Sequence, residues 1–169
     1  AFYIAQSGRP GPVLLDITKD AQFGELDFEY KKCTKIRSYV PETPVDPFKI
    51  KEAADIINEA KQPLLLFGKG IIIGNAEEEL KNFVEKTGIP AAWTLLGLSA
   101  LPTEHPLNVG MLGMHGNYGP NLLTNEADVI IAAGMRFDDR VTGKVSAYAK
   151  KAKVIHLEID PAEINKIIK

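Results

Sequence analysis

At 169 residues with 45% hydrophobic content, the chain is long and apolar enough for one buried core plus a connecting segment, which excludes a disordered polyelectrolyte. Its 20 basic and 22 acidic residues are interspersed and sum to a formal −2, so no long-range field draws it to nucleic acid or an anionic membrane. Apolar runs such as Leu64 to Phe67 and Val129 to Ala133 fall far short of the ~20 residues that span a bilayer, and the single Cys33 excludes an internal disulfide and a Cys-based zinc cluster.

In chain order, Ala1-Phe2-Tyr3-Ile4-Ala5 shows neither an initiator Met nor a basic leader, which is what a piece cut from a longer chain would show. Pro12 to Ile17 reads as a short β strand after the turn-rich Ser7-Gly8-Arg9-Pro10-Gly11. Between Thr18 and Asp46 periodicity disappears, charges crowd and three prolines follow, so residues 21–46 are expected to link an earlier domain, ending at 1–20, to a central one at 47–169. There Asp46 can cap a helix whose first residue is Pro47, with Ile50, Ala53, Ala54, Ile57 and Ala60 along one face. The run Pro63 to Phe67 is short, continuously apolar and followed by glycine, as in a strand buried on both faces.

A second helix is expected after Asn75, with Glu78 as its capping-box partner and Gly88 as its end. Ile89 to Trp93 is a second strand, Leu95 to Gly119 reads as irregular, and a short helix covers Pro120 to Glu126. Strands at Asp128 to Ala133 and Lys153 to Ile159 follow, and Pro161 to Lys169 looks like the start of another helix. Repeated strand–helix alternation with apolar strands predicts an α/β fold: a parallel, Rossmann-like sheet with helices on both faces.

Ligands of such sheets gather beyond the carboxyl ends of the strands. Two stretches there, and a third inside the irregular segment, carry chemistry. Gly68-Lys69-Gly70 would let backbone approach a phosphate, although its spacing is not the strict dinucleotide fingerprint and a plain tight turn would use the same glycines. Arg136-Phe137-Asp138-Asp139-Arg140 offers cationic forks for an anion, with carboxylates beside them to hold the forks in place. Gly110 to Gly116 combines glycines with Met111, Met114 and His115, suited to a flat or bulky ligand and equally to a mobile loop. Glu158 at a strand end can accept hydrogen bonds from a ribose. No nucleophile elbow, Walker loop or His-Glu-x-x-His helix occurs, and the three histidines lack metal-site spacing.

Taken together, Gly8-Arg9-Pro10-Gly11-Pro12-Val13-Leu14-Leu15-Asp16-Ile17 with Lys19-Asp20, Gly110 through Gly116, and Arg136 through Gly143 resemble the large catalytic subunit of the acetolactate (acetohydroxyacid) synthase family. The resemblance covers the whole chain and implies a cytoplasmic, homo-oligomeric, thiamine-diphosphate- and Mg²⁺-dependent transferase of branched-chain amino-acid synthesis, in which a regulatory subunit can take part. Such an enzyme decarboxylates pyruvate and passes the two-carbon unit to a second 2-keto acid, with FAD largely structural. Carried over by position, FAD contacts would fall on Arg9, Gly68, Gly70, Thr94, Leu95, Gly113, Met114, His115, Gly134, Arg136, Asp138, Arg140, Val141, Glu158 and Ile159. The second keto acid would meet Arg140 and Met114. Lys69 departs from the glycine of many members. The family's catalytic glutamate and its Gly-Asp-Gly diphosphate motif have no counterpart here, so this stretch alone is expected to be inactive. An FAD-containing relative such as a glyoxylate carboligase, and a non-catalytic nucleotide-binding domain, are the alternative readings.

Overall fold

The computed structural model describes residues 1–42 and 44–169, which divide into two compact units, Ala1–Pro44 and Val45–Lys169. In the first unit, α1 (Phe2–Gln6) and α2 (Lys19–Phe23) are single turns without side-chain caps. The Tyr39 hydroxyl donates to the Ser7 carbonyl at 3.1 Å, and its ring meets that of Tyr3 edge-on. The strand expected at Pro12–Ile17 does not form, and the whole run is exposed. A lone extended segment leaves its amides and carbonyls to water unless a neighbouring strand accepts them, and none pairs with it among the described residues.

The second unit is the expected α/β fold. Asp46 caps α3 (Pro47–Glu59) by accepting from the Phe48 N–H at 2.9 Å, with Pro47 in the first turn where its missing N–H costs nothing. After β1 (Pro63–Phe67) the chain turns into a helix, α4 (Lys69–Ile73), where the sequence suggested only a glycine turn. Helix α5 (Glu77–Thr87) begins after Ala76 and lacks a side-chain cap. Asn75 instead takes a left-handed turn conformation, φ +50°, that asparagine tolerates better than most residues. Three glutamates in its first turn favour the helix dipole, and Gly88 ends it in the left-handed region as expected.

Strands β2 (Ala91–Trp93), β3 (Asn108–Met111), β4 (Val129–Ala133) and β5 (Lys153–Leu157) complete the sheet, with α6 (Tyr118–Glu126) and α7 (Asp139–Thr142) between them. Strand β3 lies inside the stretch read as irregular. Its Asn-Val-Gly-Met sequence has one β-branched residue and no buried one, so it carries no strand signal of its own. At the carboxyl terminus Pro161–Lys169 forms turns and not the expected helix; Asp160 Oδ1 accepts from the Ala162 N–H, and Asn165 has a positive φ that interrupts helical geometry.

All strand pairs are parallel, in the order β3-β2-β1-β4-β5. Alternate β1 residues enter two cores. Leu64 and Leu66 join Ile130, Ala132, Leu112 and Phe137 on one face, where Ala127 follows α6 and Val141 of α7 packs. Leu65 and Phe67 join Ile131, Leu80 and Val84 on the other, under α3, α4 and α5. Burial of β1 on both sides explains its continuous apolar sequence.

Candidate functional site along the carboxyl edge of the sheet

The strand order reverses between β1 and β4, so a topological switch point lies at their carboxyl ends. The final hydrogen bonds of the sheet tie the five strand ends into one edge. Leu112 N–H donates to the Trp93 carbonyl, Thr94 to Phe67, Gly68 to Ala133 and Gly134 to Leu157, at 2.9 to 3.1 Å. Every predicted site residue of the central unit follows one of these ends: Glu158 and Ile159 after β5, Gly134 through Val141 after β4, Gly68 and Gly70 after β1, Thr94 and Leu95 after β2, and Gly113 to His115 after β3. Arg9 lies in the other unit, in the bend after α1.

At the switch point the glycines serve one another. A Cβ on Gly68 would lie 2.6 Å from the Gly134 carbonyl oxygen, and one on Gly70 2.5 Å from the Gly134 Cα. Gly134, with φ +58°, crosses Gly70 so closely that a side chain would meet its Cα at 2.8 Å. The Gly68 and Gly70 amides donate internally, to Ala133 and Gly134, so a phosphate resting on this turn would meet Cα surface and not these two N–H groups. Buried Gly97 is a member of the same crossing that sequence reasoning missed: its missing Cβ would sit 2.7 Å from the Phe67 carbonyl oxygen.

Beside the crossing, the charged run is ordered by its own carboxylates. Asp138 caps α7, accepting from the Arg140 and Val141 amides at 3.1 and 3.2 Å, and also lies 3.6 Å from the Arg136 guanidinium. Asp139 stands 3.9 Å from Arg140 Nε. Buried Phe137 packs edge-on against Tyr148 and His156, and His156 Nε2 meets the Met135 carbonyl at 2.8 Å, which fixes the backbone from which Arg136 projects. His156 therefore holds structure. Glu158 Oε1 accepts from the Ile159 and Asp160 amides, which orients the carboxyl at the end of β5.

The Gly-Met loop folds against the same run. Met114 N–H donates to the Arg140 carbonyl at 2.7 Å, and Arg140 Nη1 comes to 3.9 Å from Met114 Sδ, so the two side chains proposed for one ligand are neighbours. Gly113 has φ +94° and buried backbone, and a side chain there would strike the Arg140 carbonyl. Arg140 and Met114 remain largely exposed, as do Leu95 and Leu96 on the neighbouring loop. Cationic forks next to exposed apolar surface suit an anionic ligand with a flat hydrophobic part, and this donor set fits FAD even though the glycine amides are already used. Two open clefts, one bordered by Lys151 and Asp128 and the other by Gln62 and Gly88, lie at the opposite, amino-terminal edge and contain none of these residues. Among the described residues no helix is long and apolar enough to cross a membrane, and no group of three or more His, Cys, Asp or Glu side chains gathers as a metal site would.

The family model for the thiamine pyrophosphate enzyme central domain matches residues 50–169, which includes this whole edge. The chain belongs to the thiamine pyrophosphate enzyme family. It is 48% identical to a probable acetolactate synthase large subunit of Methanocaldococcus jannaschii across all of this chain and 29% of that protein. Identity to the acetolactate synthase large subunit of Corynebacterium glutamicum is also 48%, over 99% of this chain and 27% of the relative. A chloroplastic acetolactate synthase of Zea mays is 44% identical over 98% of the chain and 26% of its own length. The chain thus spans under a third of these relatives.

Proposed function

We propose that this chain forms the central part of an acetolactate synthase large subunit, in which residues 1–20 end a pyrimidine-binding domain, 21–46 link, and 47–169 hold FAD and meet the second 2-keto acid. The observation that carries the reading is the alignment of all five strand ends into one edge, with the paired Arg140 and Met114 on it. Identity of 44 to 48% to proteins named acetolactate synthase supports it from a second direction.

On this reading, thiamine diphosphate with Mg²⁺, held mainly by other parts of the cytoplasmic homo-oligomer, supplies the decarboxylation of pyruvate, and a regulatory subunit can join the assembly. Arg136 meets the negative charge of FAD. Glu158 accepts from its ribose, and Leu95 with the Gly113–His115 backbone covers its apolar part, while Gly68, Gly70 and Gly134 present Cα surface without obstruction. Thr94, Asp138, Val141 and Ile159 complete the contacts. Arg140 offers two parallel N–H donors to the carboxylate of the incoming keto acid, with Asp139 beside it and Met114 as the adjoining apolar wall.

Lysine keeps the charge of Arg140 and loses the fork. Arg140→Lys in the full-length enzyme should therefore lower apparent affinity for the second keto acid by one to two decades, from the roughly 1.5–3 kcal/mol of a charge-assisted contact, and leave pyruvate decarboxylation near its original rate. Acetohydroxyacid formation and decarboxylation assayed in parallel test this. Equal loss of both, or loss of neither, removes Arg140 from substrate recognition. The 169-residue chain by itself should form no acetolactate and bind FAD weakly, because a ligand covered on one side loses much of its contact area.

A further inference from the structure

The backbone of Gly113 and Met114 is gripped from two directions. From α6, Asn121 Oδ1 accepts from the Gly113 N–H at 2.8 Å while its Nδ2 donates to the Gly113 carbonyl at 3.0 Å. From α7, the Arg140 carbonyl takes the Met114 N–H at 2.7 Å. The same Nδ2 also donates to the Asn117 carbonyl at 3.0 Å, and Asn117 Oδ1 accepts from the Met111 N–H at 3.1 Å, so one helix end holds both ends of the loop. Asn121 is half-buried and belongs to no set of contacts described above.

A primary amide carries an acceptor and a donor in one plane, which is what the N–H and C=O of a single residue require from a partner. Aspartate at this position would place a second acceptor against the Gly113 carbonyl, and leucine would satisfy neither group. Because the Gly113 backbone leads directly into Met114, and Met114 is bonded to the Arg140 main chain, any slack at Gly113 alters the spacing between Met114 Sδ and the Arg140 guanidinium.

We propose that Asn121 is a positioning residue for second-substrate recognition, clamping Gly113 so that Met114 and Arg140 stand at a fixed separation. The inference rests on the functional reading above, and its test separates the two. In the full-length enzyme that carries this chain, Asn121→Asp and Asn121→Leu are compared with Asn125→Asp. Asn125 lies one turn further along α6; its Oδ1 accepts from the Ala149 N–H and its Nδ2 donates to the Asn121 main-chain carbonyl at 3.0 Å, so it reports on the Asn121 backbone without a hydrogen bond to the loop. Hydrogen exchange of the peptide spanning residues 110–116 reads the clamp without any substrate, and KM for the second keto acid is set against the rate of pyruvate decarboxylation.

Both Asn121 variants should exchange faster across this peptide and raise that KM about tenfold, the effect of about one net hydrogen bond, with decarboxylation unchanged. Asn125→Asp should move neither. Unchanged protection in Asn121→Leu, or decarboxylation falling in step with carboligation, overturns the proposal; should leucine prevent folding, the isosteric aspartate decides alone. If the parent enzyme makes no acetohydroxyacid, the functional reading fails, and the exchange arm still decides whether Asn121 holds Gly113.

Discussion

Val13-Leu14-Leu15 and Leu64-Leu65-Leu66 are almost the same tripeptide, and they have opposite fates. Leu14 is 92% exposed in the first unit, whereas Leu66 is completely buried in the second. The difference does not lie in the residues. Strand β1 has a parallel neighbour on each side and a core on each face, whereas the earlier run pairs with nothing among the described residues. Apolar content becomes stability only where a ladder satisfies the backbone and helices cover the side chains.

The sharpest way to break the contrast is a pair of leucine deletions. Leu66→Ala should cost about 2–5 kcal/mol in urea unfolding, since it opens a cavity in a core packed from both faces, and Leu14→Ala should shift the midpoint by less than about 0.5 kcal/mol. Comparable losses at the two sites would show that the first unit buries more than its exposure implies. Next in size is Gly134→Ala. A left-handed alanine costs about 1–3 kcal/mol, and the approach to Gly70 adds to it, so unfolding should respond strongly although position 134 is only half-buried. A neutral result would mean that the glycine crossing is loose and the turn free to receive a ligand.

Smaller and of opposite sign is Tyr148→Phe. The Tyr148 hydroxyl is buried without a hydrogen-bond partner among the described residues, and burial pushes its phenol pKa up. Removing it should raise stability by about 1 kcal/mol, with the Phe137 contact preserved. Destabilisation instead would reveal a polar role for that hydroxyl.

The smallest effect is confined to acid. The Lys61 amide, followed by that of Gln62, donates to the Asp128 carboxylate and holds its pKa below the ordinary value of 3.8. The unfolded chain therefore takes up this proton before the folded one does. The carboxylate's contribution is present above about pH 4 and is lost as pH falls through the depressed folded value. Asp128→Asn should flatten the acid limb of a stability–pH profile; an unchanged limb would show that this lock between the start of β1 and the start of β4 is not populated.

Much of the second unit was legible in the residues themselves. Asp46-Pro47, the continuous apolar run of β1, and Gly88 are local signals, and each sets an element through its own backbone preference or capping chemistry. Two stretches of the candidate site, after β1 and after β4, were legible from strand-end position, which needs only periodicity and turn residues, whereas Gly110 to Gly116 was legible by composition alone because the strand before it was not. The local signals misled where a partner decided the outcome: Pro12–Ile17 looked like a strand and found no ladder, β3 looked irregular and was made a strand by β2, and Asn75 looked like a cap and became a left-handed turn.

Only the tertiary structure decided what the glycines do and which residues hold the loop. Gly68 and Gly70 read as a phosphate-approach or tight-turn pair, yet their missing side chains are required by the backbone at Gly134 after β4, and Gly97, which carried no signal, is kept bare by the Phe67 carbonyl at the end of β1. Asn121 carries no motif, and its role exists because α6 brings an amide within reach of Gly113. Backbone conformation and burial period are properties of a few neighbouring residues and can be read in sequence. Close approach and paired hydrogen bonds between distant segments are properties of the folded sheet, so they appear only once its strands are in register.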